Sequence, residues 1–364
     1  MLPTFPVETP ENAGNMIHAR APIEMFSGTL EEDSYDPKTF GGVPFSEYVN
    51  QHCTHLVVTI ANLYRVGDED GTKYERFQRY LEKFDVPLVI FGLGAQAKSE
   101  DLTGATMPTE AVSLMRYLES EALGISVRGR FTKQVIEHFT GTTSKAWVTG
   151  CPSFFSRPRE IERLFSEIKE PSGGRLAYSG TVLHEDPETA MLESAIRSDS
   201  LLVEPVNRFN HQFFLDSVAE RNPEAPWYLR RLLQDDSWTI ERLREYYVRN
   251  YSLFRTATDW YAFNKSVVAA TYGTRFHVNM ASLLSGKPAT WITHDSRTRE
   301  LCETLSLPYI DLNDAHAMSP QEIAASADYA PLFDSVAKNF SNFNEFLASV
   351  ELPQIASPWR ARTS

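Results

Sequence analysis

The sequence is poor in cysteine. Cys53, Cys151 and Cys302 stand far apart and are odd in number, so they form neither a disulfide framework nor a metal-ligand pattern, and a reducing compartment is expected. A basic excess is also missing. Lys and Arg number 35 against 48 Asp and Glu, giving a formal net charge of −13 and a sequence pI near 5.2. A nucleic-acid binder needs a basic footprint, so no nucleic-acid partner is expected. No apolar run approaches the length of a bilayer crossing. The opening MLPTFPVETPENAG lacks a basic region followed by an apolar core, so no signal peptide is expected either. A cytoplasmic location follows, where the sequons at Asn250, Asn264 and Asn339 would meet no glycosylation machinery. No repeat of solenoid period is found.

What is present is core-forming material. Hydrophobic residues make up 42% and aromatics 12% of 364 residues, which excludes global disorder and points to two domains rather than one. Strand-like runs alternate with amphipathic stretches: HLVVTIA from His55, a helix over Tyr74–Phe84, then VPLVIF from Val86. A helix Glu110–Leu123, a strand Gly124–Val127, a helix Phe131–Phe139 and a strand Lys145–Thr149 follow. The same rhythm resumes with the strand Arg175–Ser179, the helix Pro187–Arg197 and the strand Leu201–Pro205. Such alternation predicts parallel sheets with helices on both faces.

The stretch TYGTRFHVNMASLLSGKPATWITHDSRTR, residues 271–299, organises the second half. Val267–Tyr272 reads as a buried strand, and Phe276, Met280, Leu283 and Leu284 recur at helical spacing until Gly286 and Pro288 stop them. Ala289–Thr293 is the next strand, and Asp295-Ser296 can cap another helix. A helix N-terminus presents unpaired N–H groups and suits an anion. Arg275 and His277 stand at the first terminus, Arg297 and Arg299 at the second. At the carboxyl edge of an open α/β sheet they would line a phosphate or carboxylate pocket with a titratable imidazole. A surface arginine, a satisfied histidine and ordinary capping explain each residue singly; the set together favours a site.

Three other turns are candidates. Glu11-Asn12-Ala13-Gly14-Asn15 offers Asn12, Gly14 and Asn15 with turn geometry and backbone N–H groups, before a helix expected over Met16–Met25. Gly92-Leu93-Gly94-Ala95-Gln96-Ala97 has the G-x-G-x-x-A spacing of a dinucleotide loop, but Lys98–Pro108 is polar and opens no helix. Gly92, Gly94 and Gln96 therefore read as a glycine-lined strand end facing a cleft. Ser126-Val127-Arg128-Gly129-Arg130 is a further strand-to-helix turn, with Arg128 and Arg130 at the carboxyl edge.

The expected organisation is a domain over residues 1–157, a charged linker 158–174 bounded by Pro and Gly, a second domain 175–350 and a tail 351–364. A helical, aromatic-rich insert, 206–263, interrupts the second domain, and its aromatic stripe reads as core before it reads as a sugar-stacking face. The fold class is α/β, two Rossmann-like parallel-sheet domains facing a cleft, a GT-B-like arrangement. The Gly92 and Arg128 turns would form one wall and the Arg275–His277 turn the other.

Longer motifs go further. SVRGRFTKQVIEHF with VTGCPS, and YGTRFHVNMASLLSGKPATWITHDSRTRELCETLSLP, resemble the polysaccharide pyruvyl transferases in order and spacing, and ENAGN resembles a variant of that family's N-terminal Asn/Gly loop. Val278 departs from the glycine that many relatives carry after the histidine. The resemblance implies phosphoenolpyruvate as donor, an enolpyruvyl unit closed as a ketal across two sugar hydroxyls, and release of phosphate. It places the motif histidine at His277, its neighbour at Phe276 and the S-x-R arginine at Arg128, and implies no metal or nicotinamide cofactor.

The residues suit that donor, since a phosphate and a carboxylate close together need more than one cation, and arginine's planar fork matches both. Arg128 and Arg275 are expected to hold it while His277 acts as acid or base; Asp295 and Arg297 fall at a donor or acceptor edge. The acceptor partner is a glycan or a lipid-linked oligosaccharide. A lipid-linked acceptor would bring the protein to the inner face of the membrane as a peripheral visitor. Two other readings remain open: a GT-B glycosyltransferase with a nucleotide-sugar donor, and a non-catalytic relative.

Overall fold

The computed structural model describes residues 12–29, 39–40, 42–97, 99–171, 173–180, 186–221 and 224–358. Glu11 and the end of the tail, 359–364, lie outside them. The chain forms two compact units, each built on its own parallel sheet, and each draws on three separate stretches.

The first unit comprises His18–Pro158, Asp295–Ser306 and the described residues of Asp334–Ser364. Its strands β1 (Leu56–Thr59), β2 (Leu88–Leu93), β3 (Ala122–Val127) and β4 (Trp147–Val148) lie side by side in chain order, all parallel. Every step crosses the sheet in the same direction, so right-handed crossovers place the connecting helices on one face. These are Thr72–Leu81, Thr109–Glu121 and Arg130–Thr140. Leu88, Ile90, Ile125 and Val127 share one core with Tyr74, Phe77, Leu114 and Val135.

The alternation along a strand then leaves Val89, Phe91 and Gly124 on the other face. That face takes its cover from the far end of the chain. Phe343 and Phe346, on the long helix Ala330–Ser349, meet the Phe91 ring at 5.6 and 5.7 Å between centroids. Gly124 has room for no side chain, because a Cβ there would lie 2.3 Å from Val350 Cγ1. Helices do cover both faces here, but one of the two comes from residues that the sequential division gave to the second domain.

The second unit comprises the described residues of Met1–Ile17, Arg159–His294 and Leu307–Phe333. Its strands are β5 (Arg175–Tyr178), β6 (Leu201–Val203), β7 (Tyr251–Ser252), β8 (Val268–Gly273), β9 (Ala289–Thr293) and β10 (Tyr309–Asp311). They pair in the order β7-β6-β5-β8-β9-β10, all parallel. The chain builds outward from β5 to β7, then returns to the opposite side of β5. This is the doubly wound Rossmann order, and the reversal opens a crevice between the carboxyl ends of β5 and β8.

Two expected segments take a different form. The stretch expected as a linker holds a helix, Pro158–Lys169, whose Ile161 and Leu164 are fully buried. Arg159, Glu162 and Arg163 lie on the outward side, whereas Glu160 is buried and its Oε1 pairs with Lys265 Nζ at 2.7 Å. The aromatic insert is a crossover rather than a separate appendage, since it contains β7. Phe213, Phe214, Tyr228, Trp238, Tyr246 and Tyr247 form one core with Tyr178 of β5 and Tyr272 of β8. Their hydroxyls are placed as burial requires: Tyr246 donates to the Ser200 carbonyl at 2.7 Å and Tyr247 to Asn210 Oδ1 at 2.6 Å. The sequon residues Asn250 and Asn264 are buried as well. Among the described residues no helix is long and apolar enough to cross a membrane.

Candidate functional site

In the six-stranded unit, the site residues gather at the sheet's reversal point. Gly273 ends β8 with φ +140°, and a Cβ on it would lie 1.9 Å from the Ser179 carbonyl oxygen that follows β5. Only glycine lets the two strand ends approach this closely. Ser179 N–H donates to the Tyr272 carbonyl at 3.1 Å, and Arg275 N–H to the Ser179 carbonyl at 3.4 Å. Arg275 is the N-cap of the helix Phe276–Leu283, and its Nε donates to the Gly180 carbonyl at 3.4 Å. Its guanidinium therefore stands over the crevice.

The helix is fixed from below. Asn279 Nδ2 donates to the Gly273 and Thr290 carbonyls at 2.9 and 3.3 Å, tying the helix to β8 and β9. Phe276 is buried, its ring 5.8 Å from that of Trp291, and Trp291 Nε1 donates to the Phe276 carbonyl at 3.2 Å. Phe276 thus anchors the turn instead of lining an open pocket. His277 is partly exposed and lies edge-on to Phe276, with ring centroids 5.3 Å apart.

The Asn/Gly turn belongs to the same place. Asn12 Oδ1 accepts from Gly14 N–H at 2.9 Å. A Cβ on Gly14 would come within 3.2 Å of His277 Cβ, so the glycine allows this turn to press on the histidine. Ala13 N–H donates to the Pro205 carbonyl at 3.0 Å and seats the segment beyond the end of β6. The helix expected from Met16 begins already at Ala13, as Ala13–Ala19, and Asn15 is exposed on it. Asn12, Gly14, Arg275 and His277 are therefore brought together within one unit.

Arg128, Gly92 and Gly94 cluster in the four-stranded unit. Arg128 is 3% exposed. Its Nε donates to the Gly92 carbonyl at 3.1 Å, its Nη1 reaches Asn62 Oδ1 at 3.3 Å, and Nη2 has no partner among the described residues. Gly94 leaves the space this side chain occupies: a Cβ there would lie 2.5 Å from the Ala61 carbonyl oxygen and 2.9 Å from Arg128 Cδ. Burial lowers the Arg128 pKa to about 10 and Arg297 adds to the lowering, whereas Cys151, Glu300 and Asp295 oppose it. The side chain remains a cation at neutral pH.

Two expectations for this region change. The helix Arg130–Thr140 opens at Gly129, and Glu300 already occupies its terminus, where its Oε1 accepts from Thr132 N–H at 2.9 Å. A Cβ on Gly129 would lie 2.0 Å from Glu300 Cγ. Positive charge at this turn comes from Arg128, and Arg130 is exposed at the first helical position. Asp295 and Arg297, which the sequence grouped with Arg275, belong to this unit instead. Asp295 caps the helix Ser296–Leu305 by accepting from Thr298 N–H at 2.8 Å and pairs with Arg297 at 3.2 Å. Gln96 lies apart in a short pair of strands, Tyr64–Arg65 with Ala95–Gln96.

Sequence reasoning missed His18 and Cys151. Both are buried, with His18 Nδ1 3.4 Å from Cys151 Sγ, and Sγ is 3.0 Å from Ser153 Oγ. Burial, then Arg128, lowers the His18 pKa to about 3, so the imidazole is neutral. It packs under Gly92, where a Cβ would lie 2.9 Å from His18 Cε1 and 2.5 Å from Pro152 Cδ. Gly92 has φ +68° and accepts from Arg128. The pair therefore supports the turn that orients the arginine. No spacing in the sequence signals it.

Comparison with known proteins adds two findings. The family described as polysaccharide pyruvyl transferase matches residues 12–296. Several solved structures are similar at low identity. Anabaena HepE in complex with UDP-glucose has a TM-score of 0.44 and 9% identity, over 94% of this chain and 96% of that one. An S. aureus MnaA–UDP structure has a TM-score of 0.43 and 11% identity, over 86% and 81%. A UDP-GlcNAc 2-epimerase from Neisseria meningitidis bound to UDP-GlcNAc has a TM-score of 0.36 and 11% identity, over 94% and 93%. Among curated proteins no relative of similar sequence is found.

Proposed function

Because the chain belongs to the polysaccharide pyruvyl transferase family, a family of transferases, we propose that it takes its pyruvyl group from phosphoenolpyruvate. A sugar of a cell-surface polysaccharide, or of its lipid-linked precursor, receives the group. One sugar hydroxyl adds to the enol carbon while the methylene carbon gains a proton and becomes a methyl group. A second hydroxyl then forms the other C–O bond of the ketal as the bond to phosphate breaks. Of the two hydroxyl protons, one ends on the methyl group and the other leaves with the inorganic phosphate.

The observation that carries this reading is the reversal point of the six-stranded sheet. Arg275 caps the helix there, His277 sits in its first turn, and Gly14 packs on the histidine. The helix N-terminus and the guanidinium favour an anion with delocalised charge. His277 is the group suited to move protons, taking one from the sugar hydroxyl or giving one to the departing phosphate. Charge building on the phosphate is stabilised by the fixed N–H dipoles and the Arg275 guanidinium; in the four-stranded unit, Arg128 is a further cation suited to an anion.

The test is phosphate release from phosphoenolpyruvate in the presence and absence of candidate glycans. Acceptor-dependent release that His277→Ala abolishes, with folding intact, is the expected result. Release of a nucleoside diphosphate from a nucleotide sugar, without response to phosphoenolpyruvate, would replace this reading by a glycosyltransferase.

A further inference from the structure

A single amide stands between two guanidiniums in the four-stranded unit. With its oxygen toward Arg128, Asn62 accepts from Nη1 at 3.3 Å. Turned over, the same amide accepts from Arg297 Nη1 and its nitrogen donates to the Ala61 carbonyl at 2.9 Å. The second orientation satisfies both ends of the amide, but it turns an N–H toward Arg128. Asn62 has one acceptor and cannot serve both cations.

The acceptors nearby do not make up the difference. Glu300 is engaged by Thr132 through both oxygens, at 2.9 and 3.2 Å. Asp295 accepts from Thr298 and from Arg297. Among the described residues Arg128 Nη2 has no partner, although the residue is 97% buried, the complement of its 3% exposure. A buried guanidinium N–H with no acceptor is costly unless a ligand supplies one. The helix Ser296–Leu305 opens beside Arg297, and Asn62 is exposed.

We propose that Arg128, Arg297 and Asn62 form a subsite for one oxyanion group, a phosphate or a carboxylate, held between the two guanidiniums. When the group binds, it accepts from Arg128 Nη2 and from Arg297, and the Asn62 amide donates to it or to Ala61. The inference rests on the proposed donor only for the identity of the anion. Arg297 and Asn62 thereby become binding residues, and Arg128 Nη2 acquires an acceptor.

Full-length protein is titrated with inorganic phosphate, with acetate, and with chloride at matched ionic strength, following thermal unfolding and calorimetric affinity. Phosphate or acetate, but not chloride, is expected to raise the melting temperature, and the effective anion identifies the group. Arg297→Ala is expected to weaken that affinity at least about tenfold. Asn62→Asp places a built-in carboxylate between the guanidiniums, so it should abolish the anion response while raising the ligand-free melting temperature. Far-UV circular dichroism checks that each variant is folded, and Asn62→Asp decides the matter if Arg297→Ala is not. Equal responses in wild type and Asn62→Asp, or no wild-type response to either anion, would overturn the subsite. Anion binding with this dependence, but no phosphate release from phosphoenolpyruvate, would leave the subsite standing and remove the proposed reaction.

Discussion

Thr132 and Glu300, separated by 168 positions, are joined twice: Thr132 N–H donates to Oε1 at 2.9 Å and its hydroxyl to Oε2 at 3.2 Å. Glu300 thereby caps a helix that begins at a glycine and has no cap of its own. The carboxylate also lies in the field of Arg128. One acidic residue thus closes a helix terminus that the sequence offered as an anion site.

Burial raises the Glu300 pKa above its ordinary value of 4.5, and the bonds from Thr132 only partly oppose this. The folded protein therefore holds the proton to higher pH than the unfolded chain does. Stability is lost as pH rises from 4.5 through the raised folded value, because unfolding releases a proton in that window. Glu300→Gln should remove this slope and lie within about 1 kcal/mol of wild type at pH 7. Glu300→Ala leaves the buried Thr132 N–H unpaired and should cost about 1–3 kcal/mol. Urea denaturation of the three proteins from pH 4 to pH 8 checks both; equal pH slopes for wild type and Glu300→Gln would refute the assignment.

Lys287 is a second buried charge, 6% exposed in its side chain, with Nζ 2.8 Å from Glu167 Oε1. The pair fastens the Ser285–Pro288 turn to the helix Pro158–Lys169, and Gly286 (φ +74°) packs on the Arg163 side chain of that helix. Removing one partner leaves an uncompensated charge, so Lys287→Ala should destabilise by about 3–5 kcal/mol. Lys287→Met with Glu167→Leu should recover most of it, since the two charges go together. Chemical denaturation of both proteins is the measurement, and equal losses would show that the ion pair is not what docks this helix.

The legible parts of the chain were those where one local signal dominates. The strand expected over Val267–Tyr272, the stop at Gly286 and the cap at Asp295 each follow from residue type alone, and the structure keeps all three, with the strand one residue later at each end, at Val268–Gly273. Pro158–Lys169 read as a linker because its charges are numerous, although Ile161, Leu164 and Ile168 recur at helical spacing. β7 has two residues and sits inside a long aromatic run, too short for a period-2 pattern to register. The contacts of Arg297 with Asn62, and of His18 with Cys151, depend on which stretches share a unit. No spacing in the sequence encodes that.

Gly94 offers the sharpest test of whether the position of Arg128 matters to function. It lies in a turn that does not require glycine for its backbone angles, and the constraint is purely steric: an added methyl group would meet the Ala61 carbonyl oxygen at 2.5 Å and Arg128 Cδ at 2.9 Å. The Arg128 side chain can move away, whereas the Ala61 carbonyl is backbone and does not yield easily, so the turn is strained as well as the guanidinium displaced. Its bonds to the Gly92 carbonyl and Asn62 would be the first to lengthen. A misplacement on the order of 1 Å can lower turnover by up to about a hundredfold. Gly94→Ala is therefore expected to weaken phosphoenolpyruvate binding and slow phosphate release, and the contact with the Ala61 carbonyl costs stability as well. Calorimetric affinity beside a thermal melt separates the two effects. A variant that binds the donor as wild type does would show that the Arg128 guanidinium contributes nothing to holding it.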